Sequence, residues 1–379
     1  MKLLVAGDFY MTADALRENA SEDFVATRLR SFIKEHDYSV INFEGAVAGS
    51  AKPVLKTGPN LGMPVDAVSA VKNMGFNVAT LANNHLMDFG RPGLVETLGE
   101  MDQQGIVRVG AGLMETAAKL PKVIDAGGVR CGLINLCQSE WGLAGGSKGG
   151  VNGIDWLHTT RLIKRLKRDC AAVVVITHMG HEYARVPSPG IRNNWLLLGE
   201  LGADLVVNHH PHVAGGVIEE GEFSVFSSLG NFLFSEHFDS DNEAVREGML
   251  ASIEVTSDGV RDVQPIGIGF NPGIRQVELL SGQQEKQWMD WLVASSSDLG
   301  AEDVVAEKFV ELVAARRWQY LNHIEPINSK FLRALRQLGL FNGLWSESKK
   351  RLLLNVIRCE AHREMLIKIL EDEARHPRQ

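Results

Sequence analysis

Five short apolar runs in this chain each end in side chains that commonly bind metal ions. Each run is rich in Val, Ile and Leu, has the length of a buried strand, and is bounded by Gly, Asn or Pro. The carboxyl ends of such strands meet at one crevice, where open α/β sheets bind ligands. The runs end at Asp8 (LLVAGD), Glu44 (VINFE), Asn83-Asn84-His85 (VATLANNH), His178 (VVVITH), and His209, His210 and His212 (LVVNHHPH). The pattern predicts an α/β fold with a divalent metal site at one sheet edge.

The chain divides into two parts of different character. Strand-like and helical runs alternate up to about residue 275, which predicts an α/β domain over residues 1–274. Beyond it, apolar residues recur at three- and four-residue spacing, so residues 275–379 are predicted to form a helical C-terminal extension. Its predicted helices are 302–322, 330–338 and 349–371. Their apolar stripes fit docking on the core or on a second copy of the chain, as a homo-oligomer, and the sequence leaves both open.

Charge and cysteine content exclude several kinds of protein. A net charge of −8 provides no basic surface for nucleic acid or for an anionic membrane. No apolar run reaches the roughly 18 residues of a spanning helix, so we expect no membrane insertion and a cytoplasmic protein. The four cysteines form no CxxC pair and are expected to be reduced, mostly buried thiols.

Single members of the polar set each have a structural explanation. Asp8 could cap the following helix or close a turn, Glu44 could lie on a surface loop, and His178 could be a hydrogen-bonded core histidine. Five strand ends that all carry oxygen or imidazole donors are improbable for loops that only turn. The repetition therefore favours one shared site.

The His210-Pro211-His212 segment is the most specific local element. Two imidazoles one residue apart at an extended strand end point the same way, and Pro211 stiffens the pair. Such a pair can serve one metal ion or two adjacent ions. The alternative is a His-rich surface turn.

The segment 83–88 is nearly as informative. The Asn84 amide oxygen is a neutral ligand that can hold a second cation. His85 can protonate a leaving group, and Asp88 is available to orient the imidazole, so both are candidate catalytic residues. The alternative is an Asx-type turn that starts a helix near 90–99.

Six motifs together carry a family resemblance: an N-terminal GD, NFEG, LANNHLMDFG, THMGHEY, NHHPHV and SLGNFLF. Their order resembles that of the poly-γ-glutamate capsule-biosynthesis (CapA-like) family, a branch of the calcineurin-like metallophosphoesterase superfamily. The resemblance runs from residue 1 to about 270. It implies a two-layer β-sandwich flanked by helices and one or two bound divalent ions.

The resemblance also implies roles for individual residues. One ion would be held by Asp8, Glu44 and His212. The other would be held by Glu44, Asn84, His178 and His210, with Glu44 bridging. His85 would be the general acid, and His209 would support the site. The substrate face would be lined by Asn83, His181 and Glu182.

Two positions depart from the wider superfamily. Tyr10 stands where a His is usual, and a phenol with a pKa of about 10 is a poor ligand for a hard ion. Glu44 stands where an Asp is usual, which adds one methylene at the bridging position. The first departure predicts that the ion held by Asp8 and His212 binds weakly or not at all.

The function implied is that of a metal-dependent hydrolase acting on a phosphoester linked to capsule or cell-surface polymer metabolism. Oxygen and imidazole ligands suit Mn, Fe, Zn or Mg. Two alternatives stay open: hydrolysis or transfer at γ-glutamyl amide bonds, and a non-catalytic accessory that binds a polymer during capsule assembly. A hydrolase on a (β/α)₈ barrel would also place ligands at strand ends, but its paired-His motif usually comes early in the chain.

Overall fold

A computed structural model describes residues 1–18, 24–56, 58–324 and 346–375. Within these ranges the chain forms two large β-sheets, two small two-stranded sheets, and helices. The mixed α/β fold expected from the sequence is confirmed. The predicted helix at 330–338 lies outside the described residues.

The first large sheet has eight strands and a parallel centre. Its strands are β1 (Lys2–Tyr10), β2 (Tyr38–Phe43), β5 (Val78–Thr80), β6 (Val107–Val109), β15 (Asn231–Phe234), β16 (Glu247–Thr256), β17 (Gly259–Asn271) and β18 (Gln276–Leu279). They lie in the order β18-β17-β16-β1-β2-β5-β6, and β15 pairs with the last residues of β1. Strands β1, β2, β5 and β6 run parallel, whereas β16 is antiparallel to β1. Strand β18 completes this sheet although it follows the predicted domain boundary.

The second large sheet has six strands. Its strands are β8 (Lys122–Ala126), β9 (Val129–Cys137), β11 (Ala172–His178), β12 (Leu205–His209), β13 (Val217–Glu220) and β14 (Phe223–Phe226). Their order is β13-β14-β12-β11-β9-β8, and the four strands β14, β12, β11 and β9 are parallel. The small sheets pair β3 (Ala46–Val47) with β4 (Gly62–Met63) and β7 (Ala111–Gly112) with β10 (Gly150–Val151).

The helices connect the strands and form the C-terminal extension. They are α1 (Ala13–Glu18), α2 (Thr27–Lys34), α3 (Asp66–Met74), α4 (Gly90–Gln103), α5 (Glu115–Ala118), α6 (Trp156–Asp169), α7 (Pro189–Glu200), α8 (Gly282–Gly300), α9 (Glu302–Ile324), α10 (Glu347–Arg358) and α11 (Glu360–Arg375). The Asp155 side chain caps α6, and Ser188 caps α7 ahead of Pro189. The single helix predicted over 349–371 is two helices, because the backbone of Cys359 is extended.

Three buried clusters account for the strongly apolar strands. In β1, Leu3 and Val5 join a cluster that contains residues of both large sheets, whereas Leu4 and Ala6 pack in a cluster with α2, α3 and α4. A third cluster joins the second sheet to α6 and α7. Alternate residues of a strand point to opposite faces, so both faces of the central strands are covered, as the runs predicted.

The C-terminal extension packs on the rest of the chain. Trp288 and Leu292 of α8 belong to the cluster shared by the two sheets. Cys359 and Ala361 belong to the cluster on the second sheet, so the described part of the extension docks on the core of its own chain. All four cysteines are free and buried. Among the helices that the structure describes, none has the length and hydropathy needed to cross a bilayer.

Candidate metal centre

The carboxyl ends of strands from both sheets meet at the candidate site. Asp8 in β1 lies opposite Asn42 of β2, and Glu44 follows the end of β2 by one residue. In the second sheet His178 pairs with His209, and these two residues end β11 and β12. All five side chains are buried. The fold therefore brings together strand ends that are far apart in the sequence.

Two groups of potential metal ligands share one carboxylate. Glu44, His178 and His210 form one group, and Asp8, Glu44 and His212 form the other, with the ligand atoms of each group within 4.8 Å of one another. Nδ1 of His210 lies 3.1 Å from Nε2 of His178. Nδ1 of His212 lies 3.4 Å from Oδ2 of Asp8, and its Nε2 lies 3.6 Å from Oε1 of Glu44. Glu44 thus stands where a bridging carboxylate would stand.

The residues of the two groups fit divalent cations. Both carboxylate oxygens of Glu44 are buried, and neither has a hydrogen-bond partner among the described residues. A buried carboxylate without donors is unfavourable, and a cation would compensate its charge. Oδ1 of Asn84 lies 3.0 Å from Nε2 of His178, so it adds a neutral oxygen to the same group. The imidazole and oxygen donors could hold one or two ions, as the sequence indicated.

Burial shifts the pKa values of the candidate ligands away from their usual values. It raises the pKa of Glu44 well above its usual value, and the charge of Asp8 adds to the effect. It lowers the pKa of His178 well below the usual value and lowers that of His210. Burial would also lower the pKa of His212, but the Glu44 carboxylate, once it is ionised, and the Asp8 carboxylate outweigh it and raise the pKa to about 10. His178 and His210 are therefore neutral and need lose no proton to bind a cation.

His85 and Asp88 form the hydrogen-bonded pair that the sequence predicted. Nδ1 of His85 lies 2.7 Å from Oδ2 of Asp88, which also accepts from the backbone N–H of Leu61 at 2.7 Å. Lys56 Nζ lies 2.5 Å from Oδ1 of Asp88 and 3.2 Å from Nδ1 of His85. The Asp88 carboxylate can accept only if Nδ1 of His85 carries a proton, whereas the Lys56 ammonium can donate only if Nδ1 has a free lone pair. Because the contact with Asp88 is the shorter one, we assign the proton to Nδ1, facing Asp88. Nε2 is then the atom available to a leaving group.

Lys56 is a site residue that the sequence analysis missed. Its side chain is only 2% exposed, although it lies in the loop between β3 and β4. Nothing in the sequence around Lys56 distinguishes it from a solvated surface lysine. Its position depends on a tertiary contact with Asp88.

The His210-Pro211-His212 segment differs from the extended pair that we predicted. Strand β12 ends at His209, and the φ angles of His210 and His212 are 98° and 58°. Positive φ is uncommon for His and is typical of functional sites. The turn directs the two rings apart, His210 to His178 and His212 to Asp8. The pair consequently serves two ligand groups.

Asn83 forms hydrogen bonds within the segment that carries Asn84 and His85. Its Oδ1 accepts from the backbone N–H groups of His85 at 3.1 Å and Leu86 at 2.9 Å, and its Nδ2 donates to the Phe43 carbonyl at 2.9 Å. The side chain is fully buried. These contacts fit an Asx-type turn that sets the position of Asn84, and the place of Asn83 on the substrate face stays a prediction.

His181 and Glu182 lie beside the C-terminal extension. Nε2 of His181, a buried residue, lies 3.0 Å from the Ala361 carbonyl oxygen. Glu182 is exposed, and its backbone carbonyl accepts a hydrogen bond from Arg316 of α9. Their predicted contact with substrate stays a prediction.

Further residues support the ligands. Asn42 donates to Oδ1 of Asp8 at 2.8 Å, and Asn231 Oδ1 lies 3.0 Å from Nδ1 of His212. Asn42 precedes Glu44 by two residues and so points to the same side of β2, a signal that the sequence analysis did not use. His209 Nε2 lies 2.9 Å from the Ala6 carbonyl oxygen, which agrees with its predicted supporting role.

Tyr10 does not replace the His that the superfamily carries at its position. Its hydroxyl donates to the Gly62 carbonyl at 3.4 Å. Burial raises the pKa of the phenol, with the charges of Glu236 and Asp88 adding to the effect. A neutral phenol bonded to the backbone contributes little to binding a cation.

A family model described as bacterial capsule synthesis protein PGA_cap matches residues 2–236. The chain belongs to this family. The family is part of the metallophosphoesterase-like superfamily, as the sequence motifs indicated. The matched range contains every candidate ligand, together with His85 and Asp88, and ends before the C-terminal extension.

Curated relatives of this chain include two CapA proteins. The capsule biosynthesis protein CapA of Bacillus anthracis is 29% identical over 258 residues, which cover 65% of this chain and 62% of that protein. The PGA biosynthesis protein CapA of Bacillus subtilis (strain 168) is 29% identical over 271 residues, covering 69% and 70%. Among solved structures, a hypothetical protein from Thermus thermophilus aligns with 70% of this chain and 98% of its own, at 14% identity and a TM-score of 0.44.

Proposed function

We propose that this protein is a metal-dependent hydrolase that acts on a phosphoester of capsule or cell-surface polymer metabolism. The observation that carries the proposal is the pair of buried ligand groups that share Glu44. Beside them, His85 directly follows the candidate ligand Asn84 and is hydrogen-bonded to Asp88. A site that only stabilised the fold would have no use for an oriented imidazole that is not a ligand.

The proposal includes a finer view of the fold. Residues 1–274 would form a two-layer β-sandwich flanked by helices, and residues 275–379 would form the helical extension. The buried cluster common to the two large sheets supports the first part. Helices α8 to α11 support the second.

Each ligand group would hold one divalent ion. Asp8, Glu44 and His212 would hold the first, and Glu44, Asn84, His178 and His210 the second. When bound, Mn, Fe, Zn or Mg ions would polarise the phosphoryl group and supply a nucleophile near neutral pH.

The residues of the chain supply the proton and its orientation. With Nδ1–H donated to Asp88, a protonated His85 would donate from Nε2 to the departing oxygen of the ester. The Leu61 N–H and the Lys56 ammonium fix the Asp88 carboxylate and hence the plane of the His85 ring. Lys56 is a positioning residue in this scheme.

Two alternatives would use the same site differently. Cleavage or transfer at a γ-glutamyl amide would use the same ligands and the same proton donor. The second alternative is a non-catalytic accessory. It is supported by the name of a relative that is 26% identical over 194 residues, a probable polyglutamine synthesis accessory protein of Mycobacterium tuberculosis.

A substrate screen of the metal-loaded protein distinguishes the proposed phosphoesterase from the two alternatives. We expect hydrolysis of phosphomonoesters or phosphodiesters that stops when a chelator removes the metal. Cleavage of γ-glutamyl peptides with no phosphoester turnover would favour the first alternative. Tight metal binding with no turnover of either class would favour the accessory.

A further inference from the structure

Two consecutive residues of the C-terminal extension contact loops that leave the candidate site. The Ala361 carbonyl oxygen lies 3.0 Å from Nε2 of His181, and Nε2 of His362 lies 3.5 Å from Oε1 of Glu140. The Tyr320 hydroxyl lies 2.8 Å from Nδ1 of His362 and orients that ring. Helices α9 and α11 thus hold the loops that follow β11 and β9.

The loop after β9 is also tied to the ligand strand β11. The backbone N–H of Gln138 donates to the His178 carbonyl at 3.1 Å. The next residue, Ser139, donates its backbone N–H to Oε2 of Glu360, the first residue of α11, at 3.0 Å. Glu140 therefore lies two residues beyond a direct contact with a candidate metal ligand and is covered by the extension.

His181 has a nitrogen that can only accept a hydrogen bond. A carbonyl oxygen cannot donate, so the Nε2 atom facing Ala361 carries the proton. Burial lowers the pKa of His181 to about 3, the Arg316 guanidinium acts in the same direction, and the hydrogen bond to the Ala361 carbonyl opposes them without cancelling the shift. The ring is neutral, and Nδ1 keeps its lone pair. This atom is buried and has no hydrogen-bond partner among the residues that the structure describes.

Glu140 has a comparable oxygen. Its side chain is 9% exposed, and Oε2 is buried without a hydrogen-bond partner in the described part of the chain. Burial alone would raise the pKa of Glu140, but the contact with His362 outweighs it, and the pKa is lowered to about 2. The carboxylate is ionised and can only accept hydrogen bonds.

We infer that the C-terminal extension completes the candidate site by fixing two acceptors, Glu140 Oε2 and His181 Nδ1, which bind hydrogen-bond donors of the substrate. Buried acceptors left without donors are costly, so a ligand that supplies donors gains binding free energy there. The donors that fit are an ammonium, an amide N–H or a hydroxyl group. The inference rests on the proposed function for its reaction and adds the selectivity of the site.

The two acceptors also exclude one kind of ligand. An ionised carboxylate repels a phosphate or a second carboxylate, so this side of the site is unsuited to the anionic part of a phosphoester. We therefore infer that this side of the site binds the leaving group of the ester. Both acceptors are fixed by residues 361 and 362, which lie outside the matched range 2–236.

Four esters of one chain length test the assignment on the Mn²⁺-loaded, full-length protein. Ethyl phosphate lacks a donor, and 2-hydroxyethyl, 2-aminoethyl and 2-(acetylamino)ethyl phosphate supply a hydroxyl, an ammonium and an amide N–H. We expect at least one donor-bearing ester to exceed ethyl phosphate about tenfold in kcat/KM, the worth of one hydrogen bond to a charged acceptor. The best of the three identifies the donor.

Variants locate the selectivity. Glu140→Gln should lower the ratio of donor-bearing to donor-lacking ester about tenfold, and His362→Ala should lower it through loss of the Glu140 orientation. His362→Gln keeps an N–H that can reach Glu140 and should restore part of the ratio. The control is Lys368→Ala on α11, whose side chain pairs with Asp372 and forms no hydrogen bond or ion pair with either loop among the described residues, so its ratio should equal that of wild type.

Calorimetry separates this inference from the proposed function. If wild type binds Mn²⁺ but hydrolyses neither these esters nor the phosphomonoesters and phosphodiesters of the substrate screen, the proposed function is wrong, and the affinities of the four esters for the Mn²⁺-loaded protein still test the two acceptors. Equal ratios in wild type, Glu140→Gln and His362→Ala, for turnover and for binding alike, would overturn the inference. If Glu140→Gln fails to fold, the two His362 variants decide.

Discussion

Glu44 combines complete burial, two oxygens without donors and membership of both ligand groups. Because burial raises its pKa well above the usual value, the carboxyl keeps its proton at pH values where an exposed Glu is ionised. A divalent ion must displace that proton. The neutral His178 and His210 release none, so Glu44 governs the pH dependence of the first binding event.

Metal affinity should therefore rise with pH. Below the pKa of Glu44 the proton competes with the cation, so Mn²⁺ binding should weaken about tenfold per pH unit as the pH falls, with about one proton released per ion. Calorimetry in two buffers of different ionisation enthalpy counts the protons. An affinity that does not change with pH would contradict the assignment.

The two ligand groups should fill unequally. The group of Asp8, Glu44 and His212 must also displace a proton from His212, whose pKa the two carboxylates raise to about 10. Tyr10 adds no ligand there, because its hydroxyl is bonded to Gly62. We expect the Glu44, Asn84, His178 and His210 group to bind first. His210→Ala should abolish the tight step of a Mn²⁺ titration and His212→Ala the weak step, whereas two equally tight equivalents in wild type would refute this order.

Individual residues were predictable where a strand end carried the signal. Asp8, Glu44 and His178 lie at or within two residues of the carboxyl ends of buried strands, so the sequence could place them together. Lys56 and Glu140 lie in loops, and their burial depends on Asp88 and on α11. No local pattern encodes such contacts.

Among the elements, β1 depends on a close approach that only glycine permits. A Cβ on Gly7 would lie 2.1 Å from the Gly230 carbonyl oxygen, and Asp8 N–H donates to the same oxygen at 3.0 Å. Strand β1 would have to move away from Gly230 and would displace Asp8. This contact fixes one candidate ligand relative to β15.

Gly7→Ala should consequently destabilise the protein by about 1–3 kcal/mol, the usual cost of overpacking. The matched control is Gly99→Ala in α4, where a Cβ meets no atom within 4 Å and Ala favours the helix. Urea unfolding measures both. Equal stability of wild type and Gly7→Ala would show that β1 tolerates the shift.

The sequence predicted which segments are strands and which are helices more accurately than it predicted where they end. The Val- and Ile-rich runs are strands whose two faces both pack in buried clusters. The break at Cys359 divides an apolar pattern that predicts one continuous helix, and it coincides with the tertiary contact between Ser139 and Glu360. The turn at His210 likewise uses a backbone conformation that its sequence does not favour.

At the scale of the whole molecule, the extension and the family-matched part form one packed unit. The extension contributes to the clusters on both faces of the second sheet and contacts the loops at the candidate site. The sequence indicated that the extension is helical, but its contacts with His181 and Glu140 join residues about 180 to 220 positions apart. A homo-oligomer through the C-terminal helices and the domain division at 274 stay predictions.

The central claim is that the shared carboxylate holds metal and that His85 donates the proton. The most direct test measures bound metal and turnover together in wild type, His85→Ala and Glu44→Ala. We predict that His85→Ala keeps its metal and slows about 10²–10⁴-fold, the usual worth of a positioned general acid, whereas Glu44→Ala loses metal and activity together. Full activity in His85→Ala, on a substrate that wild type hydrolyses, would contradict the account.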